Sequence, residues 1–391
     1  MEFKLSEKEK AFYEEVEEFL KKELPSDWAA HNRAWPGGYA SGEIPGASIR
    51  EAYVHYRQKL IEKGWLTITW PKEYGGREYS YMEKAIFDER TSYYRAPNID
   101  VIAVGMVGPT ILKIGTEEQK KEWLPRIASG EVSMWLGYSE PNAGSDLAGI
   151  QTTAVKDGEA YVIEGVKHFV ENAHVADKII CAAQVKGKAG DEAGLKLFLV
   201  DGDSPGIRIK PFKTLGYEKQ CEVVFDSVRV KKGDVLGAPA EAGQIILTIE
   251  ERAAVAKCAE MVGALQSSFS MTVAYAKERE QFGRPIGSFQ AVQHHLANMA
   301  VDVDSSRFIT YQAAWKISEG LPAGMEAAMA KAFTSEAAGR VTRLGHQVHG
   351  AISFCDEHDM HLYYRKAKAA SLAFGDAEYY LEKVADNLGL H

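Results

Sequence analysis

The chain has 391 residues, with 46 basic and 55 acidic side chains and a formal net charge of −9. This length allows two or three domains around a large core, and 46% hydrophobic with 26% charged residues is ordinary for a globular protein. This excess of acidic residues argues against nucleic acid or an anionic membrane surface as the main partner.

No apolar run approaches the roughly 20 residues that span a bilayer, and the first residues lack the apolar core of a signal peptide. The four cysteines are far apart and form neither a CxxC pair nor a disulfide framework. These features predict a cytoplasmic protein without membrane insertion.

Residues 1–130 read as a helical domain. Ser6 and Thr116 each begin a capping box. In this motif the hydroxyl of the first residue accepts a hydrogen bond from the backbone N–H three residues later, and the acidic or amide side chain at that later position accepts from the backbone N–H of the first residue. Phe12, Val16 and Phe19 recur with the spacing of a helix packed on a core. The Gly-, Pro- and Ser-rich stretch 25–48 predicts a long loop, and helical patterns follow at 49–63, 81–94 and 98–114.

Residues 131–235 change character and predict an antiparallel β domain. Lys156-Asp157-Gly158-Glu159 is a hairpin signal between two β-like runs, and further short β-like runs follow, separated by glycine and Asp-Ser-Pro-Gly turns. Residues 236–391 are helical again. The patterns at 243–277 and 288–319 are long enough to predict a C-terminal bundle. A β domain inserted between two helical domains is the expected fold, of class α+β.

Several familiar motifs are absent: no GxGxxG, P-loop or GxSxG sequence occurs. His346 and His349 are three residues apart, as are His358 and His361, but no HExxH sequence or cysteine ligand accompanies them. We therefore predict no metal site.

The segment LGYSEPNAGSDLAG at 136–149 is the most informative part of the chain. Small residues, a proline and two hydroxyls in a loop allow backbone N–H groups to approach a phosphate or a ring carbonyl. An ordinary turn capped by Ser145 and Asp146 explains the same residues equally well.

This segment resembles the first signature of the acyl-CoA dehydrogenases, with Tyr138 where an aliphatic residue is usual. Further segments follow in family order and spacing: KHFVEN at 167–172, REQFG at 279–283, Gln290, and QVHGA at 347–351. The resemblance covers nearly the whole chain and implies an acyl-CoA dehydrogenase-like fold, an FAD cofactor and an enzyme that oxidises acyl-CoA thioesters.

The resemblance also implies roles for individual residues. Glu171 replaces the usual Thr or Ser near flavin N5, and a carboxylate there predicts an unusual redox potential or oxidant. Phe169 replaces the usual tryptophan on the flavin, and Ala351 a common glycine. The implied cofactor-binding residues are Tyr138, Ser139, Ser145, Phe169, Glu171, Arg279, Phe282, Gln290, Gln347, Gly350 and Ala351.

The proton acceptor is not at its commonest position, because Phe374 stands where many family members have a glutamate. Its backbone N–H remains able to polarise the thioester carbonyl. Some members place the glutamate immediately before an arginine on an earlier helix, which here selects Glu251, followed by Arg252. We predict Glu251 as the base, Glu250 as its alternative, and Ser145, Arg252 and Phe374 as substrate-binding residues. Asp376 is a poorer candidate base.

The segment 357–365 looks like bacterial branches that act on steroid side chains, dicarboxylic or aromatic acyl groups. The implied substrate is a branched, cyclic, aromatic or dicarboxylic acyl-CoA, although straight medium chains stay possible. The family suggests an electron-transfer flavoprotein as oxidant and a homotetramer or heterotetramer. One rival is a non-catalytic or half-site subunit of a heteromer. Another, an acyl-CoA oxidase, is disfavoured because the chain lacks a second C-terminal domain.

Overall fold

The computed structural model describes residues 4–31, 47–97, 99, 101–145, 149–186, 193–216 and 218–390. The middle of the predicted loop 25–48 and residues 146–148 of the signature segment lie outside these ranges. None of the described helices is both long and apolar enough to cross a bilayer.

The N-terminal part is helical, as predicted. Its helices are α1 (Glu7–Glu23), α2 (Trp28–His31), α3 (Ala47–Lys63), α4 (Tyr81–Tyr93), α5 (Gly108–Ile114) and α6 (Glu117–Ala128), with a π-helical turn at Ala103–Val107. Both predicted capping boxes are confirmed, since Ser6 and Thr116 accept from the backbone N–H groups of Glu9 and Gln119. Phe12, Phe19 and Trp65 pack edge to face in the core beneath α1.

The middle part contains an eight-stranded sheet. Its strands are β1 (Met134–Gly137), β2 (Thr153–Asp157), β3 (Ala160–Glu171), β4 (Lys178–Val185), β5 (Gly194–Asp201), β6 (Ile207–Pro211), β7 (Gln220–Lys231) and β8 (Val235–Leu236). The order is β6-β7-β3-β2-β4-β5-β8, with β1 beside β4. The predicted hairpin is β2–β3, and Gly158 provides the positive φ of its turn.

The sheet departs from the antiparallel expectation at two places. Both β1 and β2 pair with β4 in parallel, whereas the remaining pairings within this sheet are antiparallel. Parallel neighbours need a long connection, and the chain between Gly137 and Lys178 provides one by passing through the signature loop and the β2–β3 hairpin. Sequence pattern alone could not distinguish these pairings.

The C-terminal part is a helical bundle of α7 (Pro239–Glu278), α8 (Gln290–Ser318), α9 (Gly324–His349), α10 (Met360–Leu372) and α11 (Ala377–Asn387). The two short strands β9 (Glu280–Gln281) and β10 (Arg284–Pro285) separate α7 from α8. Helix α7 packs against α4 of the N-terminal part, β5 of the sheet and α9 of the bundle. Through α7, all three parts of the chain contribute to one central site.

Candidate active site

A cavity of about 190 Å³ lies where the three parts meet. Helix α4 and residues 99–109 supply one side, α7 a second side, and the end of β3 and the α10–α11 turn close it. Its walls combine aliphatic and charged residues with aromatic ones, which include Trp65, Trp70, Tyr81, Phe87, Trp135 and Phe374. Such walls suit an apolar acyl group held away from bulk water.

A buried ion pair holds the signature loop against β3. The ammonium of Lys167, which is fully buried, donates to a Glu140 carboxylate oxygen at 2.7 Å and to the Tyr138 carbonyl at 3.1 Å. Glu140 also accepts from the backbone N–H groups of Gln151 and Thr152. Burial alone would raise the pKa of Glu140, but these hydrogen bonds bring it below its ordinary value. No local sequence pattern predicts this pair.

The predicted loop residues differ in exposure. Tyr138 is buried, and burial together with the charge of Glu250 raises the pKa of its hydroxyl. The Ser139 carbonyl accepts from the backbone N–H of His168 at 2.9 Å, which joins the loop to β3. Ser145 is exposed at the end of the described part of the loop. The loop therefore presents backbone and hydroxyl groups beside β3.

Phe169 presents an aromatic face next to this loop. Its backbone has a φ of 57°, in the left-handed region, and 64% of the residue is exposed. Its ring lies 5.9 Å from those of both His168 and Phe212. A bulky residue in this conformation, with an exposed ring, is the arrangement expected of a stacking platform for a planar group.

Glu171 ends β3 and lines the cavity. Burial and the neighbouring charge of Glu218 raise its pKa to about 7, while Lys257 and Lys366 oppose the shift. Behind the cavity wall, the buried ammonium of Lys366 pairs with Glu260, which also pairs with Lys257 at 2.5 Å. Burial lowers the pKa of Lys366 to about 7. This cluster of charged residues was not predicted from the sequence.

The α10–α11 turn carries Phe374, which lines the cavity with a φ of 57°. Lys331 of α9 holds this turn, since its ammonium donates to the carbonyls of Gly375 at 2.6 Å and Ser371 at 3.0 Å. Burial lowers the pKa of Lys331 to about 8. Asp376 is the exposed N-cap of α11 and accepts from the Tyr379 N–H.

The two candidate bases on α7 lie in different surroundings. Burial raises the pKa of both, that of Glu250 to about 7, and Lys383 opposes each shift. The Glu251 carboxylate lies beside Gly324, at the start of α9. Among the described residues that line the cavity, neither Glu250 nor Glu251 is present, whereas Arg252 is, with its guanidinium 5.0 Å from the Tyr81 ring centroid.

The remaining predicted cofactor residues lie on the surface of the bundle. Arg279 ends α7 and is exposed, and Gln290 is exposed at the start of α8. A shallow groove is lined by Phe282, Phe289, Val292, His295, Gln347 and Val348. Phe282 is 94% exposed in a left-handed conformation, and Gly350 and Ala351 are exposed beyond the end of α9.

Several histidine rings lie close together near the end of α9. His349 stacks on Tyr275 with ring centroids 4.5 Å apart, and His358 lies 4.8 Å from His349. Within the described ranges, no group of three or more His, Cys, Asp or Glu side chains has the arrangement to hold a metal ion.

Sequence models of three acyl-CoA dehydrogenase domains match the chain: the N-terminal domain at residues 6–131, the middle domain at 136–228 and the C-terminal domain at 247–389. Together with the fold, these matches define an acyl-CoA-oxidising flavoprotein that uses FAD. The chain belongs to the acyl-CoA dehydrogenase family.

Individual relatives agree with this assignment. A probable acyl-CoA dehydrogenase of Bacillus subtilis, YngJ, is 34% identical over 384 residues, covering 97% of each chain. The mitochondrial short/branched chain specific acyl-CoA dehydrogenase of Bos taurus is 32% identical over 84% of this chain and 77% of its own. The solved structure of butyryl-CoA dehydrogenase from Megasphaera elsdenii has a TM-score of 0.84 at 26% identity, covering 99% of this chain and 100% of the other.

The residues present fit an FAD. Two aromatic residues with exposed rings in left-handed conformations, Phe169 and Phe282, suit the two planar ends of a dinucleotide. The buried Nε2 of His349 has no hydrogen-bond partner among the described residues, so it retains a free polar atom in the QVHGA segment. Arg279 has the fork of donors that suits a diphosphate.

Proposed function

We propose that this acyl-CoA dehydrogenase introduces a C2=C3 double bond into the thioester of a branched, cyclic, aromatic or dicarboxylic acyl group. The observation that carries the proposal is the cavity in which residues of α4, the end of β3, α7 and the Phe374 turn meet. The similarity to a short/branched chain specific enzyme supports the branched part of this substrate range.

The reaction needs a polarised thioester and a base held away from water, because a proton on C2 is only weakly acidic. FAD, when bound, supplies the electron-accepting ring that takes the hydride from C3. In the proposal, the backbone N–H of Phe374 donates to the thioester carbonyl, which requires no polar side chain. Lys331 fixes the turn that carries this N–H.

For the base, the sequence assigns Glu251, with Glu250 as its alternative. Burial raises the pKa of both carboxyl groups, which is the direction that favours proton abstraction near neutral pH, and Glu251 precedes the cavity-lining Arg252. Arg252 is then a substrate-side charge, and Ser145 a hydroxyl near the thioester.

The test is anaerobic reduction of the bound flavin by a panel of acyl-CoA thioesters. Loss of the yellow colour of the flavin measures the reduction. The panel contains butyryl, octanoyl, isobutyryl, glutaryl, cyclohexanecarbonyl and phenylpropionyl thioesters. We expect rapid bleaching by at least one of the last four and slower bleaching by the two straight chains. Bleaching by no thioester would contradict the reaction, and preference for octanoyl-CoA would contradict the substrate range.

A second candidate function is that of a non-catalytic or half-site subunit in a heteromeric dehydrogenase. Phe374 favours it, because this side chain cannot accept a proton at the position where a glutamate is common. The discriminating measurement is the flavin content of the chain expressed alone. A yellow protein with one FAD per chain supports the active enzyme, and a colourless protein that binds FAD only with a second chain supports the alternative.

The proposed electron acceptor is an electron-transfer flavoprotein, and the proposed assembly is a homotetramer or heterotetramer in the cytoplasm. The exposed Arg279 and Phe282 support the assembly, since a neighbouring chain would cover them together with the adenosine end of FAD. Release of hydrogen peroxide in air would instead indicate an oxidase.

A further inference from the structure

Many polar side chains that line the cavity already have partners within the protein. The hydroxyls of Thr67 and Thr91 each donate to a backbone carbonyl at 3.1 Å, and the indole N–H of Trp70 donates to another at 3.0 Å. Lys84 contacts Asp88 at 2.5 Å. A buried polar group of this wall that has no partner is therefore an exception, and it requires an explanation.

The hydroxyl of Tyr56 is such an exception. Tyr56 lines the cavity, and its side chain is fully buried. Its hydroxyl oxygen has no hydrogen-bond partner in the described part of the chain, and no other cavity-lining residue described there has a buried side-chain oxygen or nitrogen in this state. Burial of a hydroxyl without a hydrogen bond is unfavourable, so a bound group that accepts its proton would gain affinity.

The surroundings of Tyr56 make its hydroxyl a fixed hydrogen-bond donor. The residue lies on α3, and its ring packs against Phe19 of α1 with the ring centroids 5.9 Å apart. Burial, and then the charge of Asp88, raise the pKa of the Tyr56 hydroxyl. The hydroxyl therefore keeps its proton at neutral pH and can donate it to a ligand.

The charges near Tyr56 indicate which ligand group suits this donor. Lys84 donates to both carboxylate oxygens of Asp88 at 2.5 Å, so these two charges compensate each other. Lys257, whose charge also acts on Asp88, is paired with Glu260. A charged substituent here would find no free counter-charge and would be costly to bury. A neutral hydroxyl can accept from Tyr56 and donate to the Asp88 carboxylate.

We propose that Tyr56 is a specificity-determining residue that donates a hydrogen bond to a neutral hydroxyl on the acyl group, remote from the thioester. This inference rests on the proposed dehydrogenation and leaves its base on α7. Tyr56 belongs to the N-terminal helices, whereas Phe374 and Arg252, the proposed thioester-side groups, belong to the C-terminal bundle. Within the proposed substrate range, the inference selects hydroxylated cyclic or aromatic acyl groups over dicarboxylic ones.

The experiment compares thioesters that differ in one substituent. The FAD-loaded wild type and the Tyr56→Phe variant react anaerobically with phenylpropionyl-CoA and with its derivatives that carry a hydroxyl or a carboxylate at the meta or para position of the ring. Stopped-flow bleaching at several thioester concentrations gives the second-order rate constant of flavin reduction for each. Tyr53→Phe is the matched control, because it removes the hydroxyl of a second cavity-lining tyrosine one turn earlier on α3.

We expect at least one hydroxylated thioester to reduce the wild-type flavin about 10-fold faster than the unsubstituted one, and the carboxylated thioesters to be slower than both. Tyr56→Phe should lose this preference for the hydroxyl, whereas Tyr53→Phe should retain it. Because the Tyr56 hydroxyl has no partner in the folded chain, its removal should not lower the denaturant midpoint of the FAD-loaded protein.

Equal rates with hydroxylated and unsubstituted thioesters in the wild type would overturn the inference and leave the dehydrogenation intact. The same holds if Tyr56→Phe keeps the preference, which together with a lower denaturant midpoint would show a purely structural role. Fastest reduction by a carboxylated thioester would also overturn the inference, in favour of a dicarboxylic substrate. If no thioester of either set bleached the wild type, the proposed function itself would fail, and this inference with it.

Discussion

Glu250 and Glu251 are adjacent on α7, and the 100° rotation between successive helical residues gives them different neighbours. Burial and then the charge of Glu250 raise the pKa of Tyr138, in the signature loop, whereas the Glu251 carboxylate lies beside Gly324, at the start of α9. Single substitutions at these positions therefore change one environment at a time.

The first prediction tests the sequence assignment of the base. If Glu251 accepts the proton, Glu251→Gln abolishes substrate-dependent flavin bleaching and leaves FAD bound, because the amide keeps the shape and loses the basicity. Glu250→Gln is the matched control and should retain at least a tenth of the wild-type rate. Stopped-flow absorbance measures both, and substantial bleaching in Glu251→Gln would exclude this residue.

The second prediction concerns the flavin potential. If Glu171 lies near flavin N5, as the family resemblance implies, its ionised carboxylate opposes the negative charge added on reduction, so Glu171→Thr should raise the midpoint potential. A coupling of roughly 1.4 kcal/mol corresponds to about 30 mV for two electrons. Because the pKa of Glu171 is about 7, the difference should be present above pH 7 and diminish below it. Equal potentials in dye-linked titrations at pH 8 would contradict it.

At the scale of elements, buried lysine side chains on a strand or a helix form hydrogen bonds that hold loops and turns in place. Lys167 of β3 holds the signature loop, and Lys331 of α9 holds the α10–α11 turn. Each cation binds groups far away in sequence, so the geometry of the cavity depends on long-range polar contacts as well as on apolar packing.

The third prediction is that Glu140→Ala destabilises the protein by about 3–5 kcal/mol, since it leaves the buried Lys167 charge without its partner. The pKa of Glu140 is lowered in the folded state, so its contribution is present above the unfolded pKa and is lost as the pH falls through the folded one. Denaturant unfolding at pH 7 and pH 4 measures both effects. Removal of the exposed pair by Asp157→Ala is the control, with an expected change below about 1 kcal/mol.

The fourth prediction is that Lys331→Met loosens the turn that carries Phe374. Loss of the hydrogen bonds to Gly375 and Ser371 should lower stability by about 1–3 kcal/mol and reduce kcat more than it raises KM. Lys368→Met, at an exposed position of α10, should change neither. Unchanged kinetics in Lys331→Met would show that the turn needs no such support.

The structural features that could be predicted from the sequence are those that depend on residues close together along the chain. The Ser6 and Thr116 capping boxes and the Gly158 hairpin each depend on residues within a few positions of one another. By contrast, Lys331 and Gly375 are 44 positions apart, and Lys167 and Glu140 are 27 apart. Such pairs are created by tertiary packing, which no local pattern encodes, and the same holds for the parallel pairing of β1 with β4.

At the scale of the molecule, the predicted cofactor residues lie at two places: the loop beside β3, and the exposed groove of Phe282 and Gln347. In the proposed assembly, a neighbouring chain would cover the exposed Phe282 and the groove beside it. The cofactor site is therefore expected to be complete only between chains.

The fifth prediction follows from this arrangement. Arg279→Ala should lower FAD retention about 10-fold or more after dialysis and leave the folded chain intact, because the exposed guanidinium makes no ion pair among the described residues and the backbone hydrogen bonds to Tyr275 and Ile286 are kept. Arg229→Ala, which removes an exposed arginine of the sheet, is the matched control and should retain FAD. Absorbance at the flavin bands and circular dichroism report the two properties, and full FAD retention in Arg279→Ala would contradict the assigned role.

Helix α7 has a consequence for how this chain tolerates changes in length. Its 40 residues extend about 60 Å without a break, and Arg279, which caps its C-terminal end, lies about 44 Å along the helix from Glu250. One residue inserted after Lys257 would turn Arg279 by about 100° relative to Glu250 and shift it by about 1.5 Å. Substitutions along α7 therefore leave the relative positions of Glu250 and Arg279 unchanged. An insertion or deletion between them would move the arginine proposed to bind the diphosphate relative to the residues near the cavity.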